Sequence, residues 1–363
     1  MDIRNHDQNY LEISREILAS NAKAVTGYVG VPVIGVVKCN GYGVSIPEAA
    51  LAWQKAGVTM FAVSTPQEAL CLRQAGFRED ILLLAPVADQ DTLNSLLENN
   101  IILTISDLEN ARFYRLHAGT VSLRVHVAVD TGMGRFGIRW TDTEQLTSIY
   151  NLAGFRFEGI FSHFAKSFEK QFRLTKLQLD RFLQVTQFLT NAGFPVGTRH
   201  IANSCAALRF PETWLDAVRC GSALVGSLLA EVPVSLKYPA IFKAQVVATK
   251  VLLPGDTTGY GSIYQVKKKT NAIVVAIGCD NGFGTMGFPD HLRFQDLAAY
   301  LYHMMQTYRR RLGVTWNGNR LPMIGRMGNQ YTMFDAGNLD IHPGDYISAQ
   351  VSLLFPYQNR KFK

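Results

Sequence analysis

Apolar and polar positions along this chain alternate between two periods. Residues 31–37 form a nearly unbroken apolar, β-branched run, and similar short runs recur at 59–63, 81–84, 101–105, 122–129, 155–161, 199–202 and 217–219. Runs of this length and composition read as buried strands. Between most of them lie stretches whose apolar residues recur every three or four positions, at 66–74, 90–98, 107–116, 143–152 and 174–191, which predicts helices. Ser14 is placed to cap an entry helix carrying Ile17, Leu18, Ala22 and Val25 on one face. Ser45-Ile46-Pro47-Glu48 opens another, which Gly57 closes, because proline fits a first turn and glycine stops a helix. Eight strands separated by crossovers long enough for parallel pairing predict an α/β architecture, a (β/α)8 TIM-type barrel. After about residue 235 the pattern changes. Residues 241–253 and 270–277 are strand-like, interrupted by Pro254-Gly255 and Gly259-Tyr260-Gly261, with no helix between. The expected division is a barrel over 1–235 and a mainly β C-terminal domain over 236–363. Within the latter, Leu297, Leu301 and Met304 or Met305 recur on one face of a helical insertion near 294–312.

Composition narrows the class without naming a reaction. The 363 residues are 47% hydrophobic and carry a formal net charge of +7, enough chain for two packed domains. Lys267-Lys268-Lys269 and Arg309-Arg310-Arg311 are the basic runs. Neither is interleaved with aromatic residues as a nucleic-acid stacking platform requires, so no nucleic-acid partner is expected. A dispersed positive field suits a small anionic ligand instead. The five cysteines, Cys39, Cys71, Cys205, Cys220 and Cys279, are scattered and odd in number, which argues against a disulfide framework or a structural zinc site. The N-terminal residues lack an apolar targeting core, and no apolar run reaches membrane-spanning length. A cytoplasmic protein without a membrane partner is expected.

The candidate chemistry lies at the ends of the proposed strands. The first run delivers Lys38 to a strand's C-terminal end, followed by the Gly-rich Cys39-Asn40-Gly41-Tyr42-Gly43. In a barrel that end is where chemistry is done, and a desolvated lysine there is suited to imine formation. Taken alone it is a solvated loop residue. The fifth strand ends in Asp130-Thr131-Gly132-Met133-Gly134-Arg135-Phe136-Gly137, in which Arg135 offers a planar fork to an anionic oxygen. The sixth ends at His163, which reads either as a hydrogen-bonded core residue or as a ring stacked on a cofactor. Asn203 and Ser204 end the seventh, and Arg219, Gly221 and Ser222 the eighth. Hydroxyls and backbone N–H groups at Ser204, Gly221 and Ser222 compose a phosphate cradle of the kind barrels place after strands seven and eight. A lysine, a cradle and arginines at one mouth point to pyridoxal 5′-phosphate.

These motifs resemble those of the alanine racemase family, the barrel-plus-β-domain class of pyridoxal-phosphate enzymes. Lys38-Cys39-Asn40-Gly41-Tyr42-Gly43 resembles its cofactor-lysine motif, and the 130–137 stretch is nearly its signature. Weaker likenesses occur around His163, at Ala202-Asn203-Ser204 and at 216–221. The resemblance implies an amino-acid racemase in which Lys38 binds the cofactor and is one base. It implies that Tyr42, Ser204 and the backbone at Gly221 and Ser222, with Asn203 beside them, hold the phosphate. Arg135 would face the phenolic oxygen and the substrate carboxylate, Arg219 the pyridine nitrogen, and His163 the ring. Thr257-Thr258-Gly259-Tyr260-Gly261 resembles the segment whose tyrosine reaches in from the other subunit as second base. The implied enzyme is therefore a homodimer with shared active sites. On its own, Tyr260 reads as a turn aromatic.

Four departures bear on substrate. Ala128 stands where the family commonly has a modified lysine supporting the arginine. Cys279 replaces a tyrosine lining the substrate entrance, and Asn329-Gln330 replaces a Met-Asp pair near the substrate carboxylate. The usual tail, with a further phosphate-binding tyrosine, is missing, leaving Tyr357 as the nearby substitute. The expectation is a racemase whose substrate need not be alanine. Two alternatives remain: a decarboxylase with Cys279 as proton donor, favoured by Cys279-Asp280 and opposed by Arg219, and a non-catalytic pyridoxal-phosphate-binding homologue.

Overall fold

Eight parallel strands close on themselves in the computed structural model of this protein, which describes residues 9–169, 171–228, 230–284, 301, 313–353, 357 and 359–363. They are Val33–Val36, Met60–Val63, Asp80–Leu83, Leu103–Ile105, Leu123–Asp130, Phe155–Phe161, Thr198–His200 and Val218–Cys220. Two parallel ladders carry most of the pairing. The bridges Leu82↔Ile102 and His200↔Ala217 join them into a ring. Ile34, Val36, Ala62, Leu82, Ile102 and Ala217 form a buried cluster among these strands, the apolar filling that makes such a barrel a packed core and not a pore.

Helices follow the strands in turn, and their starts are written in side chains. Pro66–Gln74 begins with a capping box in which Thr65 and Glu68 satisfy each other's backbone N–H. Gln90–Glu98, Leu108–His117 and Thr143–Tyr150 are capped by Asp89, Asp107 and Asp142, each accepting from the amide three residues on. Such a cap contributes about 1 kcal/mol and fixes where the helix starts. The entry helix runs Arg15–Tyr28 with Leu18, Ala22 and Val25 buried, and Trp53 of Ile46–Gln54 is wholly buried.

The chain divides into two compact units, Arg15–Pro239 and, together, Met1–Ser14 with Ala240–Lys363. The second is mainly β. Its longest strand, Ala240–Leu252, pairs along its length with Tyr10–Ile13, Tyr346–Ala349 and Thr270–Val275, all antiparallel. The register shifts between Val246 and Ala248, and such an irregularity bends a strand and redirects its pairing. A hairpin, Gly313–Trp316 with Asn319–Pro322, and the strand Thr332–Asp335 extend the sheet. One boundary differs from the reading of 1–235 as barrel. Tyr10–Ile13 lies between Ala240–Leu252 and Arg360–Phe362 in the β unit. Its alternating burial, with Leu11 and Ile13 fully covered, serves that sheet. The helix expected near 294–312 falls outside the described residues, Leu301 excepted.

Candidate active site

Lys38 leaves the strand Val33–Val36 in an extended conformation, φ −125° and ψ 169°, and the backbone then reverses its hand. Cys39, Asn40, Gly41 and Tyr42 have φ of 51°, 53°, 66° and 55°. Tyr42 N–H donates to the Lys38 carbonyl at 2.7 Å and Gly43 N–H to that of Cys39 at 2.9 Å. The segment is one turn of left-handed helix, a conformation unfavourable by roughly 1–2 kcal/mol per non-glycine residue. Strain of this kind gathers where a side chain must be aimed. Here it turns Tyr42 toward the loop after the last barrel strand.

That loop has room for Tyr42 only because residue 221 is glycine. A Cβ there would lie 2.3 Å from the Tyr42 hydroxyl. The Ser204 hydroxyl oxygen accepts from the N–H groups of Gly221 and Ala223, at 3.0 and 3.2 Å. The Ser222 N–H donates to the Tyr42 oxygen, and burial raises Tyr42 well above the ordinary tyrosine value. Tyr42 therefore stays protonated. The main-chain N–H groups of Gly221 and Ser222 thus face the Ser204 and Tyr42 hydroxyl oxygens.

Arg219 occupies the centre of the strand ends and is 3% exposed. Its Nη1 donates to the His200 Nδ1 at 2.7 Å and to the His200 carbonyl at 2.9 Å. Its Nη2 donates to the Ser162 carbonyl at 2.6 Å and lies 3.2 Å from the His163 Nδ1. A guanidinium only donates, so His200 accepts on Nδ1 and carries its hydrogen on Nε2. That nitrogen is 2.8 Å from the His126 Nδ1, so His200 donates from Nε2 and His126 accepts on Nδ1. Burial lowers Arg219 to about 9, with Arg135 adding repulsion, which leaves it cationic at neutral pH. Burial first, and then the Arg219, Arg135 and Lys38 charges, lower His163 to about 3. His126 falls to about 4 and His200 well below the usual histidine value, again chiefly by burial. The histidines are thus neutral spacers between cations.

Arg135 sits on an exposed loop with its guanidinium 5.7 Å from the Phe136 ring centroid. The Asp130 carboxylate shapes that loop by accepting from Gly132, Met133 and Gly134 N–H. From the helix Arg173–Asn191, Arg181 donates to the Thr131 carbonyl at 2.8 Å and Gln178 to that of His163 at 3.0 Å. Asn203 caps the helix Ser204–Arg209, its Oδ1 accepting from Ala206 N–H and from the Ser167 hydroxyl. Its Nδ2 donates to the Phe164 carbonyl at 3.3 Å.

The remaining expected residues belong to the β unit, where they form a group of their own. Tyr260 is 77% exposed on a tight turn between Gly259, φ 71°, and Gly261, φ 77°. A Cβ on Gly259 would press 2.9 Å from the Arg326 backbone nitrogen. Cys279 N–H donates to the Gly328 carbonyl and its thiol to the same oxygen at 3.4 Å, with the Asn329 Oδ1 at 3.6 Å. The Tyr357 hydroxyl donates toward the main chain, 3.0 Å from the Asn281 carbonyl and 2.9 Å from that of Ser352.

Sequence reasoning did not single out His126, Gln178, Arg181 or Glu68. The signal for Gln178 was a polar residue on the apolar face of its helix, where it is 5% exposed.

Comparison with known proteins agrees with this geometry. The alanine racemase N-terminal domain model matches residues 13–228 and the C-terminal domain model residues 240–358. An alanine racemase of Carboxydothermus hydrogenoformans is 33% identical over 78% of this chain and 75% of its own. That of Desulfosudis oleivorans is 30% identical over 97% and 88%. Among solved structures, alanine racemase of Clostridium difficile shares the fold, with a TM-score of 0.84 at 23% identity over 100% of this chain and 97% of that one. The Bacillus anthracis enzyme with bound L-Ala-P has a TM-score of 0.81 at 25% identity, over 98% and 95%. With both domains matched in order and the lysine, cradle and arginine gathered at one barrel mouth, this chain belongs to the alanine racemase family, pyridoxal-phosphate-dependent isomerases of amino acids.

Proposed function

We propose that this protein interconverts the enantiomers of a small amino acid, with Lys38 exchanging a proton on one face of the substrate Cα and Tyr260 of a second copy on the other. The supporting observation is the convergence of Lys38, the Tyr42–Ser204–Gly221 cradle and buried Arg219 at the strand ends of one barrel. Pyridoxal phosphate, when bound, supplies the aldehyde and the electron sink that make a Cα proton labile. The residues fit it: hydroxyl donors where a phosphate needs them, a lysine at the strand end, and an arginine that keeps its own proton. Arg219 donates to whatever nitrogen faces it and gives none of its charge away, which favours simple proton return over deeper chemistry. Racemisation needs proton carriers on opposite faces. Lys38 supplies one, and an exposed Tyr260 offered to a partner supplies the other, so the working enzyme is a two-fold dimer with shared sites. Cys279 and Asn329 shape the side-chain end of the substrate site and admit side chains beyond the alanine methyl. The thiol donates to a backbone carbonyl, a disposition that does not favour the decarboxylase reading. Five free cysteines suit a reducing, cytoplasmic setting, and no helix among the described residues is long and apolar enough to cross a membrane.

The test is a chiral-chromatography screen of the protein with pyridoxal phosphate against the common amino acids and ornithine, each as a single enantiomer. The opposite enantiomer is expected from at least one substrate. An amine product, or unchanged substrates with cofactor bound, would refute the reading.

A further inference from the structure

The left-handed turn that aims Lys38 is not held by its own bonds alone. The N–H groups of a helix's first turn have no partner within it, and that of Cys39, immediately after Lys38, is one of these. It donates to the Glu68 Oε1 at 2.7 Å, across 29 residues of chain. The other carboxylate oxygen, Oε2, accepts from Ser64 N–H at 2.9 Å and Thr65 N–H at 3.1 Å. One carboxylate therefore gathers three main-chain donors from the ends of two neighbouring barrel strands. Thr65 returns half of a capping box by accepting the Glu68 N–H at 3.3 Å. A capping box needs only one oxygen of its third-position side chain. The second oxygen is spare to that purpose, and it lands on the residue after the lysine.

From this geometry we infer that Glu68 is a positioning residue for Lys38. Its carboxylate ties the strained turn to the next βα unit and fixes the direction from which the lysine amine leaves the strand. Hydrogen bonds to a charged acceptor are about twice as strong as neutral ones, which suits a tether that opposes the unfavourable hand of Cys39, Asn40 and Tyr42. Two consequences separate this role from helix capping. Glutamine caps as glutamate does, but with its oxygen on Ser64 and Thr65 it turns an NH2 toward the Cys39 N–H. Glu68→Gln keeps the cap and loses the tether. Thr65→Ala weakens the cap and keeps the tether. The inference rests on the reading of Lys38 as the cofactor lysine.

The experiment compares wild type, Thr65→Ala, Glu68→Gln and Glu68→Ala as full-length proteins, with cofactor and after its removal. Amide hydrogen exchange is read at Cys39, pyridoxal phosphate uptake by the visible absorbance of lysine-bound cofactor, and Tm by calorimetry. Glu68→Gln is expected to keep Tm near wild type, while Cys39 exchanges about tenfold faster and uptake slows about tenfold, the loss of one charge-assisted bond. Glu68→Ala should show the same defects with a lower Tm. Thr65→Ala should lower Tm and leave Cys39 exchange and uptake unchanged. Wild-type uptake by both Glu68 variants, or an equal slowing by Thr65→Ala, overturns the inference. Borohydride reduction of the wild type followed by peptide mapping isolates the underlying reading. Label on a residue other than Lys38 defeats the cofactor assignment, whereas Cys39 exchange still decides whether Glu68 holds the turn.

Discussion

The barrel and the β unit solve the pairing of strands in opposite ways. In the barrel, strands pair with the next one along the chain, as Met60 does with Asp80 or Phe61 with Ile81, apart from the closing pair of Val33–Val36 with Val218–Cys220. In the β unit, Tyr10 pairs with Lys243 and Leu11 with Arg360. Local pairing lets hydrophobic period, caps and turns specify the answer almost segment by segment, while non-local pairing leaves register to be decided by distant surfaces. The division extends to chemistry. The lysine turn, cradle and buried arginine lie in the barrel, and the departures at Cys279, Asn329 and the tail lie in the β unit. On the proposed reading the cofactor end of the site is built by the barrel, while Tyr260 and three of the four departures belong to the β unit and Ala128 stays in the barrel strand Leu123–Asp130.

The sharpest way to break that comparison is Lys38→Ala. It should abolish the visible absorbance of lysine-bound cofactor and lower racemisation at least a thousandfold, with Tm nearly unchanged. Residual turnover within tenfold of wild type would place the chemistry elsewhere. Next is Leu11→Ala, in the first strand. Leu11 is fully buried, so truncation should destabilise the β unit by about 3 kcal/mol, read as lost amide protection in Ala240–Leu252 with less change in the barrel strands. Equal loss in both would mean that the units unfold as one.

Acid should act on the other half. His126 and His163 have folded values of about 4 and about 3, against about 6.5 in the unfolded chain. Below 6.5 the unfolded chain takes up protons that the folded barrel refuses. Stability is thus full above that pH and lost as pH falls from 6.5 toward 4. His342, in the β unit, is exposed. Amide protection of the barrel strands should fall by several kcal/mol over this window, on the order of 3 kcal/mol for each histidine, ahead of the β unit. The smallest effect expected is that of Gly221→Ala, whose new Cβ must displace the Tyr42 hydroxyl. Cofactor affinity should drop about tenfold, by the loss of one hydrogen bond to a charged group, while circular dichroism stays that of wild type. Unaltered affinity would remove Tyr42 from the cradle.

How far the sequence speaks follows the same line. The helices Pro66–Gln74 and Gln90–Glu98 and the strand Phe155–Phe161 are legible to the residue because caps and apolar periods mark their ends. Lys38, Arg219 and Ser204 are legible as strand-end residues. The hand of the turn after Lys38 is not, since Cys39 and Tyr42 ordinarily avoid positive φ and only Asn40, Gly41 and Gly43 hint at it. Tyr10–Ile13 is too short to announce a strand, and its partners lie hundreds of residues away. The commitments of Tyr357 and Asn203 to backbone partners are packing facts, invisible until the chain is folded.

The place of Tyr10–Ile13 also sets a timetable. A ribosome releases this strand before the barrel, and at about 10 residues per second the stretch that flanks it on one side, Arg360–Phe362, arrives roughly half a minute later. The barrel can assemble during translation as each βα unit emerges. The strand must meanwhile wait for both of its neighbours, so a segment synthesised before the barrel is completed after it.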